Sequence, residues 1–248
     1  MNNKSLFTGK SDDYFRCRPS YPDAAVRWLR QKCSGDKAVD IGAGTGIFTK
    51  SLLPYFNEVS AIEPNEDMRK VFRIFLPEVV CSAASGEATE LPDNSIDLIT
   101  VAQAFHWLDE DKFKAEAMRI LHPGGKVAII WNTTLSDDFS AERSRICRKY
   151  CPRFSAGHAG KRSPADGDDF LRHHYFSNVE FASFSNPFVM DLEIFEGNMR
   201  SRSYAIGAEH PDYSGFMTEL RAVFEQYAVD GRVTEQQETQ IYLGEFQA

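Results

Sequence analysis

The feature that most constrains this chain is a short apolar strand that runs directly into three closely spaced glycines and then into a helix. The segment covers residues 39–48 and reads VDIGAGTGIF. Glycines in such a turn let the backbone bend sharply and let a ligand approach more closely than a Cβ atom would permit. A strand, a glycine-rich turn and a helix in this order are typical of nucleotide-binding folds with a parallel sheet.

The pattern around this segment predicts the same fold class. Apolar, β-branched runs alternate with helical patterns, which indicates a parallel sheet with helices on both faces. The predicted strands are 37–42, 58–63, 79–83, 96–102 and 126–132, and the predicted helices between them are 47–55, 66–75 and 110–121. The nearly all-apolar run at 96–102 is typical of a central strand that is buried on both faces. We therefore expect an α/β doubly wound, mostly parallel sheet.

The pattern changes after residue 134. A basic helix is predicted at 140–150, and residues 152–169 are rich in Gly, Ser, Pro and charge, which favours an exposed loop or lid. Later predicted elements are strands at 179–189 and 240–246 and helices at 191–200 and 213–228. Together with the earlier strands, these complete a sheet of seven. We expect a single domain over residues 1–248, with a small cap or lid inserted at 135–175.

Charge and targeting signals narrow the class of partner. The 248 residues carry 28 Lys and Arg against 36 Asp and Glu, which gives a net charge of −8. This balance disfavours nucleic acid and anionic membrane as partners, and we expect neither. The amino terminus has no apolar h-region, and the five cysteines include no C-x-x-C pair, so we expect no metal site. The sequence thus predicts a cytoplasmic protein that acts on a small molecule, and it leaves the oligomeric state open.

Three details of the glycine turn indicate what kind of ligand it binds. The third glycine, Gly46, comes one residue earlier than in the dinucleotide fingerprint. Asp40 precedes the turn by two residues, where a carboxylate is unfavourable beside a diphosphate but favourable beside an ammonium or sulfonium group. Glu63 ends the second predicted strand, where a carboxylate can accept two hydrogen bonds from ribose hydroxyls. The pattern favours an adenosyl ligand with a positive charge over one with phosphates.

Five motifs in order resemble those of a known family. They are DIGAGTG at 40–46, EP at 63–64, GEATELP at 86–92, DLITVAQAFHW at 97–107 and LHPGG at 121–125. Over about residues 14–132 the chain resembles the class I S-adenosylmethionine-dependent methyltransferases, in particular the type 11, small-molecule branch and loosely the trans-aconitate methyltransferase-like members. The resemblance implies a Rossmann-like fold, S-adenosylmethionine as the cofactor and a small-molecule methyl acceptor.

The resemblance also implies positions for the parts of the cofactor. The turn at 42–46 would lie under the methionine part, and Asp40 would lie near the amino group of that part. Glu63 would hold both ribose hydroxyls. The complete set of cofactor-binding residues that the resemblance implies is Tyr14, Arg18, Asp40, Gly42, Gly44, Thr45, Gly46, Glu63, Pro64, Met68, Glu87, Ala88, Gln103 and His106.

Four of these residues are implied at the adenine end. Pro64 and Met68 would pack near the adenine ring. Glu87 would accept a hydrogen bond from the exocyclic amine, and Ala88 would contribute its backbone amide.

The remaining residues are implied at the methionine end. Gln103 would contact this end through its backbone, while His106 and Trp107 would border the methyl group. Tyr14 and Arg18 belong to a segment, YFRCRPSYP, that would fold over the cofactor. Arg18 is the candidate for binding the cofactor carboxylate.

Several residues have a purely structural alternative. His106 either packs or caps structurally or touches the acceptor, and Trp107 is either core or pocket wall. A basic face at 143–149, made of Arg143, Arg145, Arg148 and Lys149, is either a solvated helix surface or a site that attracts an anionic acceptor.

The chemistry implied by the resemblance does not require a particular catalytic residue. A sulfonium is a strong methyl donor, so alignment and desolvation can supply on the order of 7–11 kcal/mol of barrier reduction. A carboxylate acceptor needs no base, whereas an amine, hydroxyl or carbon acid would make His106 a plausible one. We therefore leave the catalytic residue unassigned. Two alternatives remain: a non-catalytic S-adenosylmethionine-binding module, and a nicotinamide-dependent oxidoreductase, which the glycine spacing and Asp40 disfavour.

Overall fold

The computed structural model describes residues 11–154 and 164–246, and the side chains of 164–166 are left aside. The strands in chain order are β1 Lys37–Ile41, β2 Glu58–Ile62, β3 Val80–Ser82, β4 Ile96–Ala102, β5 Leu121–Thr134, β6 Asn178–Ser185, β7 Phe188–Met190, β8 Val233–Glu235 and β9 Gln237–Glu245. Seven of them form one sheet, and β7 and β8 form a separate two-stranded ribbon.

The strand order of the large sheet is β3-β2-β1-β4-β5-β9-β6. Strands β1 to β5 pair in parallel, whereas β9 runs antiparallel to both of its neighbours, β5 and β6. Strands β2 and β3 lie on one side of β1, and the chain then crosses to β4 on the other side of β1. This reversal opens a crevice at the carboxyl ends of β1 and β4, where doubly wound sheets bind their ligands. The predicted seven-stranded, mostly parallel fold is confirmed.

The helices cover both faces of the sheet and extend beyond it. They are α1 Ser11–Cys17, α2 Asp23–Lys32, α3 Ile47–Leu52, α4 Glu66–Phe75, α5 Glu110–Ile120, α6 Asp138–Tyr150, α7 Pro164–Phe170, α8 Leu192–Arg200 and α9 Tyr213–Tyr227, with a 3-10 turn at Phe105–Trp107 and a π-helical turn at Leu171–Tyr175. Asn65, Asp109 and Asp191 begin α4, α5 and α8, and each side chain accepts a hydrogen bond from a backbone amide of the first turn. These short polar caps satisfy donors that a helix leaves unpaired.

Neighbouring residues of β4 pack into opposite layers of the core. Leu98 packs in one cluster with Leu29 of α2 and Leu52 of α3. Ile99 packs in another cluster with Phe113 of α5. All five of these residues are fully buried. The two-sided burial explains why the sequence of this strand is nearly all apolar.

A second hydrophobic core lies away from the large sheet. It contains Phe139 of α6, Phe195 of α8, Phe216 and Leu220 of α9 and Val233 of β8. We call this group the helical core. Its members lie both before and after β6 in the sequence. The chain therefore leaves the large sheet after β5, returns to it in β6 and leaves it again before β9.

The predicted cap at 135–175 is divided among these layers. Within the described residues, α6 belongs to the helical core, whereas Leu171 and Tyr175 pack into the core of the large sheet. Residues 155–163 lie outside the described part of the chain. Whether the segment acts as a cap or lid stays a prediction.

Three expectations about individual elements need correction. The predicted strand at 179–189 is two strands, β6 and β7, in different sheets. The break lies at Asn186 and Pro187, because Pro187 has no amide to donate and the amide of Asn186 donates to Gln237 O at 2.8 Å. The predicted loop at 152–169 contains the start of α7. Strand β5 begins at Leu121 rather than at 126, because Leu121 pairs with Ile96.

Two helices precede β1 where no element is predicted. The residues of α2 that face the core are Ala25, Val26 and Leu29, and all three are fully buried. Within the described residues, no helix combines the length and the apolar character needed to cross a bilayer.

The helical core should contribute strongly to stability. Phe216 is fully buried, so Phe216→Ala should lower the free energy of unfolding by about 3–5 kcal/mol, from lost transfer energy and the cavity left behind. Urea denaturation measures this change. The matched control is Ile74→Ala, because Ile74 is 83% exposed and should change stability by less than about 0.5 kcal/mol. Equal effects of the two substitutions would contradict a packed helical core.

Candidate ligand-binding cleft

A cleft opens at the carboxyl ends of β1, β2 and β4, on the crevice side of the sheet. Eight of the residues implied by the motifs line it: Tyr14, Gly42, Gly44, Glu63, Pro64, Met68, Glu87 and Gln103. Trp107, which was expected to border the methyl group, also lines the cleft, and the further lining residues that were not predicted as cofactor contacts are Asn65, Ser85, Gly86, Ala102, Ala104 and Leu108. Asn65 and Gly86 lie inside or next to the quoted motifs, so their proximity to the site had a sequence signal.

The glycine turn is fixed to the neighbouring strand by its own backbone. The amides of Gly42 and Ala43 both donate to Ile62 O, at 2.8 and 3.1 Å. Ile62 is the last residue of β2, so the turn after β1 is fastened to the end of the adjacent strand. This contact fixes the position of the cleft floor.

Two glycines of the turn serve different purposes. A Cβ atom on Gly46 would lie 2.9 Å from side-chain atoms of Phe72 and Leu76, so this glycine permits α3 to pack closely on α4. Among the residues that the structure describes, a Cβ atom on Gly44 would meet only Tyr14, at 3.8 Å. Gly44 has a φ of +57°, which disfavours any other residue, and its missing side chain keeps the cleft open.

The Glu63 side chain is held at the cleft by two backbone amides. Its Oε2 accepts from Gly44 N at 2.8 Å, and its Oε1 accepts from Asn65 N at 2.7 Å. The residue is 7% exposed and lines the cleft. Because each carboxylate oxygen can accept a second hydrogen bond, the fixed pair can still bind two donors of a ligand. A vicinal diol supplies that arrangement of donors.

Asp40 lies beneath the glycine turn and does not line the cleft. Its Oδ2 accepts from Thr49 Oγ1 at 2.6 Å and its Oδ1 from Thr100 Oγ1 at 3.0 Å. Burial raises the pKa of this carboxyl group to about 7, against the effect of the two hydroxyl donors, and the nearby Glu63 charge adds to the rise. Asp40 therefore lies below the turn, and its proximity to a ligand amino group stays a prediction.

Helix α1 and the residues after it reach from the cleft to α8. Arg18 stacks on the Tyr14 ring, with its guanidinium carbon 4.7 Å from the ring centroid. Its Nε and Nη2 donate to the Oγ and the backbone O of Ser201, at 2.9 and 3.0 Å. Asn198 Nδ2 donates to Cys17 O at 2.8 Å. The segment predicted to fold over a ligand is thus anchored to α8.

Gln103 ends β4 in a strained conformation. It has a φ of +58°, a value that costs a residue with a side chain on the order of 1–3 kcal/mol. Its backbone amide donates to Ile130 O at 2.9 Å, and its side-chain Nε2 donates to Asn132 O at 3.2 Å. These bonds to β5 hold the strained residue at the floor of the cleft.

The far end of the cleft combines an apolar wall with one carboxylate. Pro64 and Met68 form part of the wall, and Trp107 continues it on the opposite side. Glu87 Oε1 accepts from Asp109 N at 3.0 Å, at the start of α5. This bond fixes the Glu87 carboxylate, and Glu87 also lines the cleft.

Six predicted residues do not line the cleft: Arg18, Asp40 and Gly46, whose positions are given above, and Thr45, Ala88 and His106. Thr45 is fully buried, and its hydroxyl has no hydrogen-bond partner within the described residues. The amide of Ala88 donates to Ser85 O at 3.1 Å within a turn, so it is already used. The His106 ring packs on Trp107, with 4.6 Å between the ring centroids. Both residues were expected to border the methyl group, and of the two Trp107 lines the cleft.

Comparison with known proteins agrees with this geometry. A methyltransferase-domain family model matches residues 39–129. An uncharacterised methyltransferase-like protein of Schizosaccharomyces pombe is 33% identical over 183 residues, which cover 69% of this chain and 71% of that protein. An uncharacterised methyltransferase of Mycobacterium tuberculosis is 41% identical over 120 residues, or 48% of this chain and 49% of its own length. The chain therefore spans about half the length of such mycobacterial relatives.

A solved structure shows the same fold. It is that of a proposed type II methyltransferase from Anaeromyxobacter dehalogenans, with a TM-score of 0.67 and 24% identity. The superposition covers 92% of this chain and 97% of that chain.

The buried Asp40 carboxyl group should make stability depend on pH. In the folded protein its pKa is about 7, whereas the ordinary value is 3.8. Between these values unfolding releases a proton, so the free energy of unfolding should fall as pH rises from about 4 to 7, by on the order of a few kcal/mol. Asp40→Asn lacks this group and should lack this part of the pH dependence.

Urea denaturation of both proteins at pH 5 and pH 8 measures the effect. The other carboxylates contribute to both proteins and cancel in the difference. We expect the stability of the native protein relative to Asp40→Asn to be lower at pH 8 than at pH 5. The same difference at both pH values would show that Asp40 does not titrate in this range.

Proposed function

This chain belongs to the class I S-adenosylmethionine-dependent methyltransferases, and on that premise we propose that it binds S-adenosylmethionine in the cleft and transfers the methyl group to a small-molecule acceptor. The observation that supports this proposal most is the Glu63 carboxylate, fixed by Gly44 N and Asn65 N at the end of β2. It presents two acceptor atoms to a ribose diol and would repel a diphosphate.

The residues of the cleft fit this cofactor part by part. Glu63 would hold the ribose, and the open space above Gly44 would admit the methionine part close to the backbone. Pro64 and Met68 would pack on the adenine, with Glu87 beside its amine. When bound, S-adenosylmethionine supplies a methyl group on a positively charged sulfur.

The chain's own residues then have to orient the acceptor and keep water out. Tyr14 covers the turn from α1, and the strained Gln103 fixes the floor between the cofactor cleft and the space beyond it. Positioning of this kind can lower a barrier by about 7–11 kcal/mol without a proton transfer. A small acceptor is supported by the enclosure of that space between the residues after α8 and the ends of β5 and β9.

Methyl transfer tests the proposal directly. Protein is incubated with S-adenosylmethionine labelled in its methyl group, together with small organic acids, amines and phenols in separate reactions. Parallel reactions contain protein or RNA as acceptor. We expect label in a small molecule and in neither macromolecule. Calorimetry alongside should show binding of S-adenosylmethionine and S-adenosylhomocysteine and none of NAD. Cofactor binding without transfer to any acceptor would contradict the enzymatic proposal.

Removal of the Glu63 charge should weaken cofactor binding. Glu63→Gln keeps the shape but loses charge-assisted hydrogen bonds, so S-adenosylhomocysteine should bind more weakly by about 1.5–3 kcal/mol. Isothermal titration calorimetry measures the affinity. Glu58→Gln is the matched control, because Glu58 is exposed at the opposite end of the same strand. Unchanged affinity in Glu63→Gln would remove this residue from the ribose site.

For the affinity of the ligand, the open space above Gly44 should matter more than the backbone conformation of this glycine. Gly44→Ala places a methyl group in the cleft, and it should reduce the affinity for S-adenosylhomocysteine by at least about 10-fold, or 1.4 kcal/mol. Gly124→Ala is the control, because Gly124 has a φ of +83° and, within the described ranges of the chain, no neighbour within 4 Å of the added Cβ atom. Both substitutions should cost about 1–2 kcal/mol of stability from the left-handed backbone. Equal affinities of the two variants would place the ligand elsewhere.

A further inference from the structure

Strand β4 ends in a sharp turn at Gln103, where the backbone is left-handed. Within the described part of the chain, four residues other than glycine have a left-handed φ: Glu90, Asn94, Gln103 and Asp230. Of these four, Gln103 lines the cofactor cleft and the other three do not. A left-handed residue with a Cβ atom persists only where the surrounding structure holds it, and such residues concentrate at functional sites.

The neighbouring strands hold Gln103 in this conformation. Its backbone amide donates to Ile130 O and its Nε2 to Asn132 O, at 2.9 and 3.2 Å. The Asn132 side chain is itself fixed, because its Oδ1 accepts from Thr239 Oγ1 at 2.6 Å and from Asn186 Nδ2 at 3.2 Å. Residue 103 is thus tied directly to β5 and, through Asn132, to β9.

The turn at Gln103 brings the next residue against the glycine turn after β1. A Cβ atom on Gly42 would lie 2.5 Å from the Cβ atom of Ala104, so the two segments touch at a position that only glycine permits. In the 3-10 turn that follows, Ala104 O accepts from Trp107 N at 2.9 Å. Ala104, Trp107 and Leu108 all line the cleft, and we call these three residues the β4 wall.

We propose that Gln103 is a positioning residue for S-adenosylmethionine, because its left-handed backbone directs the chain from β4 across the glycine turn and so places the β4 wall. The proposal rests on the proposed function, since the wall belongs to the same cleft. An extended residue at 103 would continue β4 and carry the wall away from Gly42. Only the fraction of molecules with the wall in place would then bind, and the affinity would fall by that fraction.

Three substitutions at residue 103 separate its backbone conformation from its side chain. Gln103→Val introduces a β-branched side chain, which strongly disfavours a left-handed φ. Gln103→Gly permits this φ without strain but has no side chain. Gln103→Met keeps an unbranched side chain of similar length and loses the amide. Isothermal titration calorimetry with S-adenosylhomocysteine should show a loss of 10-fold or more for Gln103→Val, whereas the other two variants should stay within threefold of the native affinity.

Asp230 supplies the matched control for backbone strain. It has a φ of +50°, is exposed and does not line the cleft. Asp230→Val should lower the melting temperature, as Gln103→Val should, but its affinity for S-adenosylhomocysteine should stay within twofold of the native value. The melting transitions also show that both valine variants are folded.

Hydrogen exchange reports the position of the β4 wall in the absence of a ligand. The amides of Trp107 and Leu108 donate within the 3-10 turn, at 2.9 and 3.1 Å, so they should exchange slowly while this turn is held. In Gln103→Val they should exchange at least fivefold faster than in the native protein, and saturation with S-adenosylhomocysteine should slow them again. In Gln103→Gly they should exchange at the native rate.

The outcomes distinguish this proposal from the proposed function. If the native protein and Gln103→Val bind S-adenosylhomocysteine equally well, the wall does not depend on residue 103, and the proposal is wrong while the proposed function stands. An equal loss in all three variants also overturns the proposal, because the side chain rather than the backbone would then be responsible. If the native protein does not bind S-adenosylhomocysteine, the proposed function fails and the proposal fails with it.

Discussion

The Glu63 carboxylate joins the glycine turn after β1 to the start of α4, and the geometry of the cleft depends on this contact. One oxygen accepts from Gly44 N and the other from Asn65 N, so a single buried side chain sets the distance between two elements. In a nearly water-excluded position, such charge-assisted bonds are stronger than neutral ones. The same two oxygens are the acceptors that the cofactor ribose would use, and structure and binding therefore depend on one group.

Much of the fold and of this cleft could be predicted because the information is local. The turn at 42–46 and the strand end at Glu63 each carry their own pattern of residue types, and parallel strands bring such ends to one edge of the sheet. The exceptions have local causes too. Asp40 has the expected residue type, but its side chain is directed under the turn, where two threonine hydroxyls bind it.

The second, more polar cavity beside the cleft could not be predicted, because its residues, among them Thr134, Arg202 and Gln237, are far apart in the sequence and carry no motif. Arg18 binds Ser201, and Thr134 binds Glu235, across sequence separations of 183 and 101 residues. Their roles depend on partner and burial rather than on residue type. Gln237 has no feature in the sequence that marks it, and only the folded chain shows that its amide is buried without a hydrogen-bond partner among the described residues. The left-handed backbone of Gln103 is equally invisible in the sequence.

The segment around α1 connects the cleft with a second, more polar cavity beside it, because Tyr14 and Arg18 both line that cavity and Tyr14 also lines the cleft. The central claim is nevertheless about the cofactor, and a crystal structure with S-adenosylhomocysteine measures it most directly. We expect both ribose hydroxyls within hydrogen-bond distance of the Glu63 oxygens and the amino-acid part above Gly44. Nucleoside density outside this cleft, or a Glu63 side chain with no ribose contact at full occupancy, would contradict the assignment.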